Sequence, residues 1–120
     1  MKAVLDTNVV IYLQKGLVAE VLPPGVYAIS VITEMELLSF QGLTEQQRTC
    51  LRRFIEDMTV VEIDDDIKEH TIALRLEHRL KLPDAIVAAT AITRQAILFS
   101  NDQGLAGLSG IDLRSVKLRR

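Results

Sequence analysis

Short β-branched runs alternate along this chain with longer stretches of helical periodicity. Residues 2–5 form the first apolar run, closed by Asp6-Thr7-Asn8, a side-chain set that commonly caps a helix start. Val9, Val10, Ile11 and Leu13 continue it as a helix to about Gly16, whose missing Cβ suits a C-terminal stop. Pro23-Pro24-Gly25 breaks the chain before a second β-rich run at 26–30. Residues 30–40 and 44–58 read as the next two helices, the second opened by Thr44 and Gln47 at capping-box spacing. A β-branched run at 59–63 predicts strand three. Asp64-Asp65-Asp66 opens a helix reaching about Leu80, with Arg75, Arg79 and Lys81 at the end where the helix dipole favours cations. Pro83 marks another start, with an alanine-rich helix over 84–95, and 96–100 and 111–116 read as strands four and five.

Strands alternating with helices, joined by links too long for hairpins, predict an α/β fold whose mainly parallel sheet is covered on both faces. The length of 120 residues predicts one domain, and 48% hydrophobic with 25% charged residues is the composition of a globular chain. The single cysteine, Cys50, has no disulfide partner, so a reducing compartment and a packing role are expected for it. Asp6 and Asn8 interrupt the first apolar run before it reaches signal-peptide length, and later runs fall short of a membrane span; a cytoplasmic location follows. A net charge of −2 excludes a protein that grips nucleic acid through overall positive charge, but not one with a local basic rim. Arg48, Arg52 and Arg53, then Arg75, Arg79 and Lys81, and the tail Lys117-Leu118-Arg119-Arg120 are the candidates for such a rim.

Four acids stand out by position. In an open parallel sheet, ligands bind beyond the carboxyl ends of the strands. Asp6 follows strand one, Asp102 follows strand four, and Glu36 lies in the second turn of the helix leaving strand two. Glu36 also has Ile32 and Phe40 four residues to either side on one helical face, so a buried Glu36 would need a partner. Asp84 starts a helix leading into a strand, so its edge is not fixed by the same rule. Clustered carboxylates repel one another, and all-oxygen ligation favours Mg²⁺ or Mn²⁺ over zinc. His70 and His78, eight apart, form no zinc motif.

Four segments together resemble the PIN-domain family, and within it the short VapC-type toxins of toxin–antitoxin pairs. They are Val4-Leu5-Asp6-Thr7-Asn8, Ile32-Thr33-Glu34-Met35-Glu36-Leu37, Leu82-Pro83-Asp84-Ala85-Ile86-Val87-Ala88-Ala89-Thr90-Ala91 and Ser100-Asn101-Asp102. The resemblance implies a three-layer α/β/α sandwich with a five-stranded parallel sheet and a Mg²⁺- or Mn²⁺-dependent endoribonuclease. It implies Asp6, Asp84 and Asp102 as metal ligands, Glu36 as the fourth acid, and Thr7, Asn8, Ser100 and Asn101 as groups orienting water, carboxylate or phosphate around them. A small antitoxin partner that blocks the site, an RNA substrate and a homodimer are implied as well. The sequence departs from the family after Asp102, where an aromatic is common and this chain has Gln103-Gly104-Leu105-Ala106-Gly107.

Each segment taken singly has a structural alternative. Asp6-Thr7-Asn8 and Asp84 serve equally as helix-start residues, and Ser100-Asn101-Asp102 as turn chemistry. The triplet at 64–66 is assigned to solvent and helix capping. A catalytically inactive PIN-fold binding module is the alternative function, motivated by the altered loop after Asp102. A phosphotransfer fold with Asp6 or Asp64 as acceptor is a third and is disfavoured, because the dehalogenase pattern wants an acid where Asn8 stands.

Overall fold

The computed structural model describes residues 1–120. Its elements are β1 (Lys2–Leu5), α1 (Thr7–Gln14), β2 (Val26–Ser30), α2 (Val31–Leu38), α3 (Glu45–Glu56), β3 (Thr59–Val61), α4 (Asp65–His78), α5 (Leu82–Arg94), β4 (Ile97–Phe99) and β5 (Asp112–Arg114), with a single 3-10 turn at Gln103–Leu105. All four strand pairings are parallel, in the order β3-β2-β1-β4-β5. This is the expected α/β/α sandwich.

Alternation along each strand builds two cores, one per face of the sheet. Val4, Val61 and Leu98 point to the layer of α4 and α5, where they meet Ile67, Leu74 and Val87. Ala3, Leu5, Ile29 and Phe99 point to the other face and meet Val9, Val10, Leu37, Leu51 and Ile55. Fully burying one such aliphatic side chain contributes roughly 1.5–3 kcal/mol, so the two faces carry most of the fold's stability. Ala85, Ala88, Ala89 and Ala91 are all at most 1% exposed, and their short side chains let α5 lie close on the sheet.

Helix caps follow the sequence closely. Thr44 and Gln47 form the expected capping box on α3, and Asp64 caps α4 by accepting from the Ile67 amide at 2.8 Å. Asp65 pairs with Lys68 at 3.6 Å on a solvated surface, so the acidic triplet is a helix start and no more.

Several details differ from expectation for identifiable reasons. β4 begins at Ile97 because Ala96 donates back to the Ala91 carbonyl at 2.9 Å, completing the end of α5 with Gln95 left-handed at φ 51°. β5 stops at Arg114 because the backbone of Val116 is taken by the Asn101 side chain. Cys50 is exposed, since Leu51 and Ile55 form the buried face of α3. Arg48 turns inward to the chain, its guanidinium donating to the carbonyls of Leu38 and Phe40, and so closes the end of α2. The C-terminal tail is hydrogen-bonded to the loop after α1. Lys117 accepts from the Ala19 amide, and the Arg119 amide donates to Leu17, both at 2.7 Å. No helix is long and apolar enough to cross a membrane.

Candidate active site

The strand order reverses direction at β1, whose neighbours are β2 and β4. A crevice therefore opens beyond the carboxyl ends of the central strands, and four segments converge there. Asp6 leaves β1, α2 leaves β2, and Asp102 follows β4. The fourth is the start of α5. A helix that feeds a parallel strand through only Gln95 and Ala96 must run against that strand, so its N-terminus, with Asp84 in the first turn, lies over the carboxyl edge. The edge of Asp84 is thus fixed by topology, which the strand-end rule alone did not reach.

Asp6 is buried, 6% exposed, and both its oxygens are committed. Oδ1 accepts from the Thr7 amide at 2.8 Å, and Oδ2 accepts from the Ser100 hydroxyl at 2.6 Å. Its own amide donates to the Phe99 carbonyl at 3.0 Å, which locks the end of β1 to β4. Burial pushes the Asp6 carboxyl above its ordinary range; the Ser100 and Thr7 hydrogen bonds oppose the shift, and the charge of Asp102 adds to it. Asp84 is raised too, by burial first and then by the charges of Asp102, Asp6 and Glu36, with Lys81 easing it. All four acids therefore share one electrostatic neighbourhood.

Ser100 joins two of them. Its hydroxyl donates to Asp6 and accepts from the Asp102 amide at 3.1 Å. Asp102 in turn caps the 3-10 turn, Oδ1 accepting from Gly104 at 2.8 Å. Leu105, 1% exposed, anchors that turn in the core. A side chain at Gly104 would put its Cβ 3.2 Å from Asp102 Oδ1, so glycine keeps the carboxylate free of crowding. The unusual loop fixes Asp102 well.

Glu36 departs from expectation. It is exposed, as is Phe40, because the buried side of α2 is centred on Thr33 and Leu37, leaving the diagonal through Ile32, Glu36 and Phe40 at the rim. The Thr7 hydroxyl reaches it, 2.9 Å from Oε1. Of the other residues implied by resemblance, Asn8 is exposed and makes no side-chain hydrogen bond with the protein. Both ends of the Asn101 amide are spent on the Val116 backbone, at 2.7 and 3.0 Å, so Asn101 acts on the crevice through the chain that it holds. Thr33, which is not among the residues implied by the resemblance, lies 3.1 Å from the Thr7 hydroxyl.

The donor set suits a divalent cation. Every candidate ligand is a carboxylate oxygen, and none of the four acids has an ion-pair partner. The shell is not closed: no three His, Cys, Asp or Glu side chains already stand in ligating range of one point. A cleft between the end of α1, the start of β2 and α3 holds none of the four acids.

The sequence matches the PIN domain family over residues 3–110. A chain in a toxin–antitoxin complex from Klebsiella pneumoniae is 34% identical to this one, with 91% of this chain and 94% of that chain covered and a TM-score of 0.75. VapBC2 from Rickettsia felis, bound to a DNA fragment from its promoter, gives 21% identity, 98% and 100% coverage and a TM-score of 0.82. DNA-bound VapBC from Salmonella typhimurium gives 23% identity, 96% and 98% coverage and a TM-score of 0.80. These last two share the fold. A search of curated proteins finds no match. With the family match spanning most of the sequence and the acids gathered at one sheet edge, the chain belongs to the PIN-domain family.

Proposed function

We propose that this protein is a Mg²⁺- or Mn²⁺-dependent endoribonuclease and the VapC-type toxin of a toxin–antitoxin pair. The observation that carries the nuclease reading is the convergence of Asp6, Glu36, Asp84 and Asp102 at the carboxyl edge of the central strands without any ion pair. Such a cluster is costly unless a cation joins it. Asp6, Asp84 and Asp102 would hold the ion, with Glu36 directly or through water. The ion would supply charge stabilisation on the phosphodiester and a bound water of lowered pKa. Ser100 keeps Asp6 and Asp102 in fixed relation, Thr7 steers Glu36, and Glu36 Oε2 is left to accept a hydrogen bond from water. The loop after Asp102, which motivated an inactive binding module, supports the catalytic reading by fixing that carboxylate. A receiver-type phosphotransfer fold is disfavoured, since there β1 and β3 are neighbours and here β1 lies between β2 and β4.

The test is cleavage of folded RNA by protein stripped of metal and freed of any partner. Products should appear on addition of Mn²⁺ or Mg²⁺ and vanish with excess chelator; undiminished cleavage in chelator would sink the metal-dependent reading. The antitoxin rests on the 34% identical chain solved within a toxin–antitoxin complex.

The homodimer is supported by the outer face of α4. Ile72 and Leu76 are 54% and 81% exposed there, between Glu69 on the same stripe and Arg79 at the left-handed C-cap. Read along the helix and its cap, the face runs acid, apolar, apolar, base. Two copies packed antiparallel about its centre set Ile72 against the other copy's Leu76 and Glu69 against the other copy's Arg79, the self-complementarity that a two-fold interface requires. Leu76→Asp should convert the dimer to a monomer in sedimentation with the fold unchanged; a wild-type protein that is monomeric at micromolar concentration discards the interface.

A further inference from the structure

The protein has three buried threonines, all on helices, and one of them behaves unlike the others. Thr71 and Thr90 donate to the carbonyl four residues back, each at 2.7 Å, the ordinary resting place for a buried helical hydroxyl. Thr33 is wholly buried at 0% exposure, but its hydroxyl is paired 3.1 Å away with Thr7, across the gap between α2 and α1. The Thr7 hydroxyl has one proton and two neighbours, Thr33 Oγ1 and Glu36 Oε1 at 2.9 Å. An ionised carboxylate only accepts, so the Thr7 proton goes to Glu36 and the Thr33 hydroxyl must donate to Thr7. The result is a directed chain, Thr33 to Thr7 to Glu36. It starts in the core and ends on an exposed side chain that nothing else restrains by hydrogen bonding.

We infer that Thr33 is a positioning residue of the acid cluster, holding the Thr7 hydroxyl in the one rotor that orients Glu36. The inference rests on the nuclease reading only for its kinetic consequence. Thr7 is also tied to Asp6 through its amide, so the chain sets Glu36 relative to Asp6 as well. Without the Thr33 proton, the Thr7 hydroxyl is free to turn away, and Glu36 is free to sample rotamers at the rim. The helix itself loses nothing.

The test compares Thr33→Val, which keeps the shape and removes the hydroxyl, with Thr33→Ser, which keeps the hydroxyl, and with Thr71→Val as a buried control. For Thr33→Val, kcat on RNA should fall about three- to tenfold, the range of one lost hydrogen bond, with KM unchanged. Mn²⁺ affinity by titration calorimetry should weaken by a similar factor. Thr33→Ser and Thr71→Val should match wild type in both. In a Glu36→Gln background, Thr33→Val should have no further effect. Wild-type values for Thr33→Val, equal losses for Thr33→Ser, or an additive loss in the Glu36→Gln background would each overturn the assignment. Should wild type cleave no RNA while Mn²⁺ affinity follows this pattern, the nuclease reading fails and the positioning role stands. If Thr33→Val does not fold, the Thr33 hydroxyl proton decides by NMR: contact with Thr7 supports the chain, and a bond to the Ile29 carbonyl overturns it.

Discussion

Asp84→Asn is expected to move activity and stability in opposite directions. Cleavage should drop about a thousandfold, the scale of several kcal/mol of lost charge stabilisation around a catalytic ion. Metal-free protein should melt at a higher temperature than wild type, because the substitution removes one member of a cluster whose charges raise one another's cost. The pairing of results matters, because a carboxylate in the first turn of a helix also stabilises it through the dipole. If Asp84 were only a helix-start residue, Asn would lower the melting temperature slightly and leave cleavage intact. Asp84 is the better choice for this experiment than Asp6. Both Asp6 oxygens accept hydrogen bonds, so Asp6→Asn would also disturb Ser100 and the Asp102 amide.

Adding Mn²⁺ to the metal-free protein should raise its melting temperature by about 10 °C at a hundredfold excess over Kd, corresponding to about 2.7 kcal/mol. Asp84→Asn should lose most of that gain. The pH dependence has a definite sign. Asp6 and Asp84 are both raised in the folded state, so their contribution favours folding below the ordinary carboxylate range and is lost as pH rises through the raised values. Metal-free wild type should therefore lose stability, relative to Asp84→Asn, as pH rises above the ordinary carboxylate range. Mn²⁺ should erase the difference. Parallel melts of the two proteins with and without the ion measure this directly, and a difference that grows toward acid pH would contradict the assignment of the shifts.

Much of the fold was readable because its signals are local. Runs such as Val26–Ser30, the capping box at Thr44 and the acidic start of α4 specify their elements through chemistry within a few residues. Strand ends were less readable. Val116 looks β-compatible in sequence but is drawn out of the sheet by the Asn101 side chain, a group that only the folded chain brings near, and Ala96 is spent on closing the end of α5. The same distinction applies to the crevice. Asp6 and Asp102 follow from strand ends, whereas the exposure of Glu36 depends on how α2 rolls, which is set by burial of Thr33 and Leu37. Helical spacing placed Ile32, Glu36 and Phe40 on one face correctly, but it does not say which face is inward. Thr33 carried no local signal, because its segment also holds Ser30, Glu34 and Glu36, and its role shows only once Thr7 is seen opposite it.

The Asn101 clamp has a consequence for how the chain tolerates changes of length. The residue immediately before Asp102 is held at both ends of its amide by the backbone of Val116, so residues near the end of the sequence form part of the footing of an acid at the sheet edge. Trimming back past Val116 would open the clamp, releasing Asp102 from a distance without touching a single carboxylate.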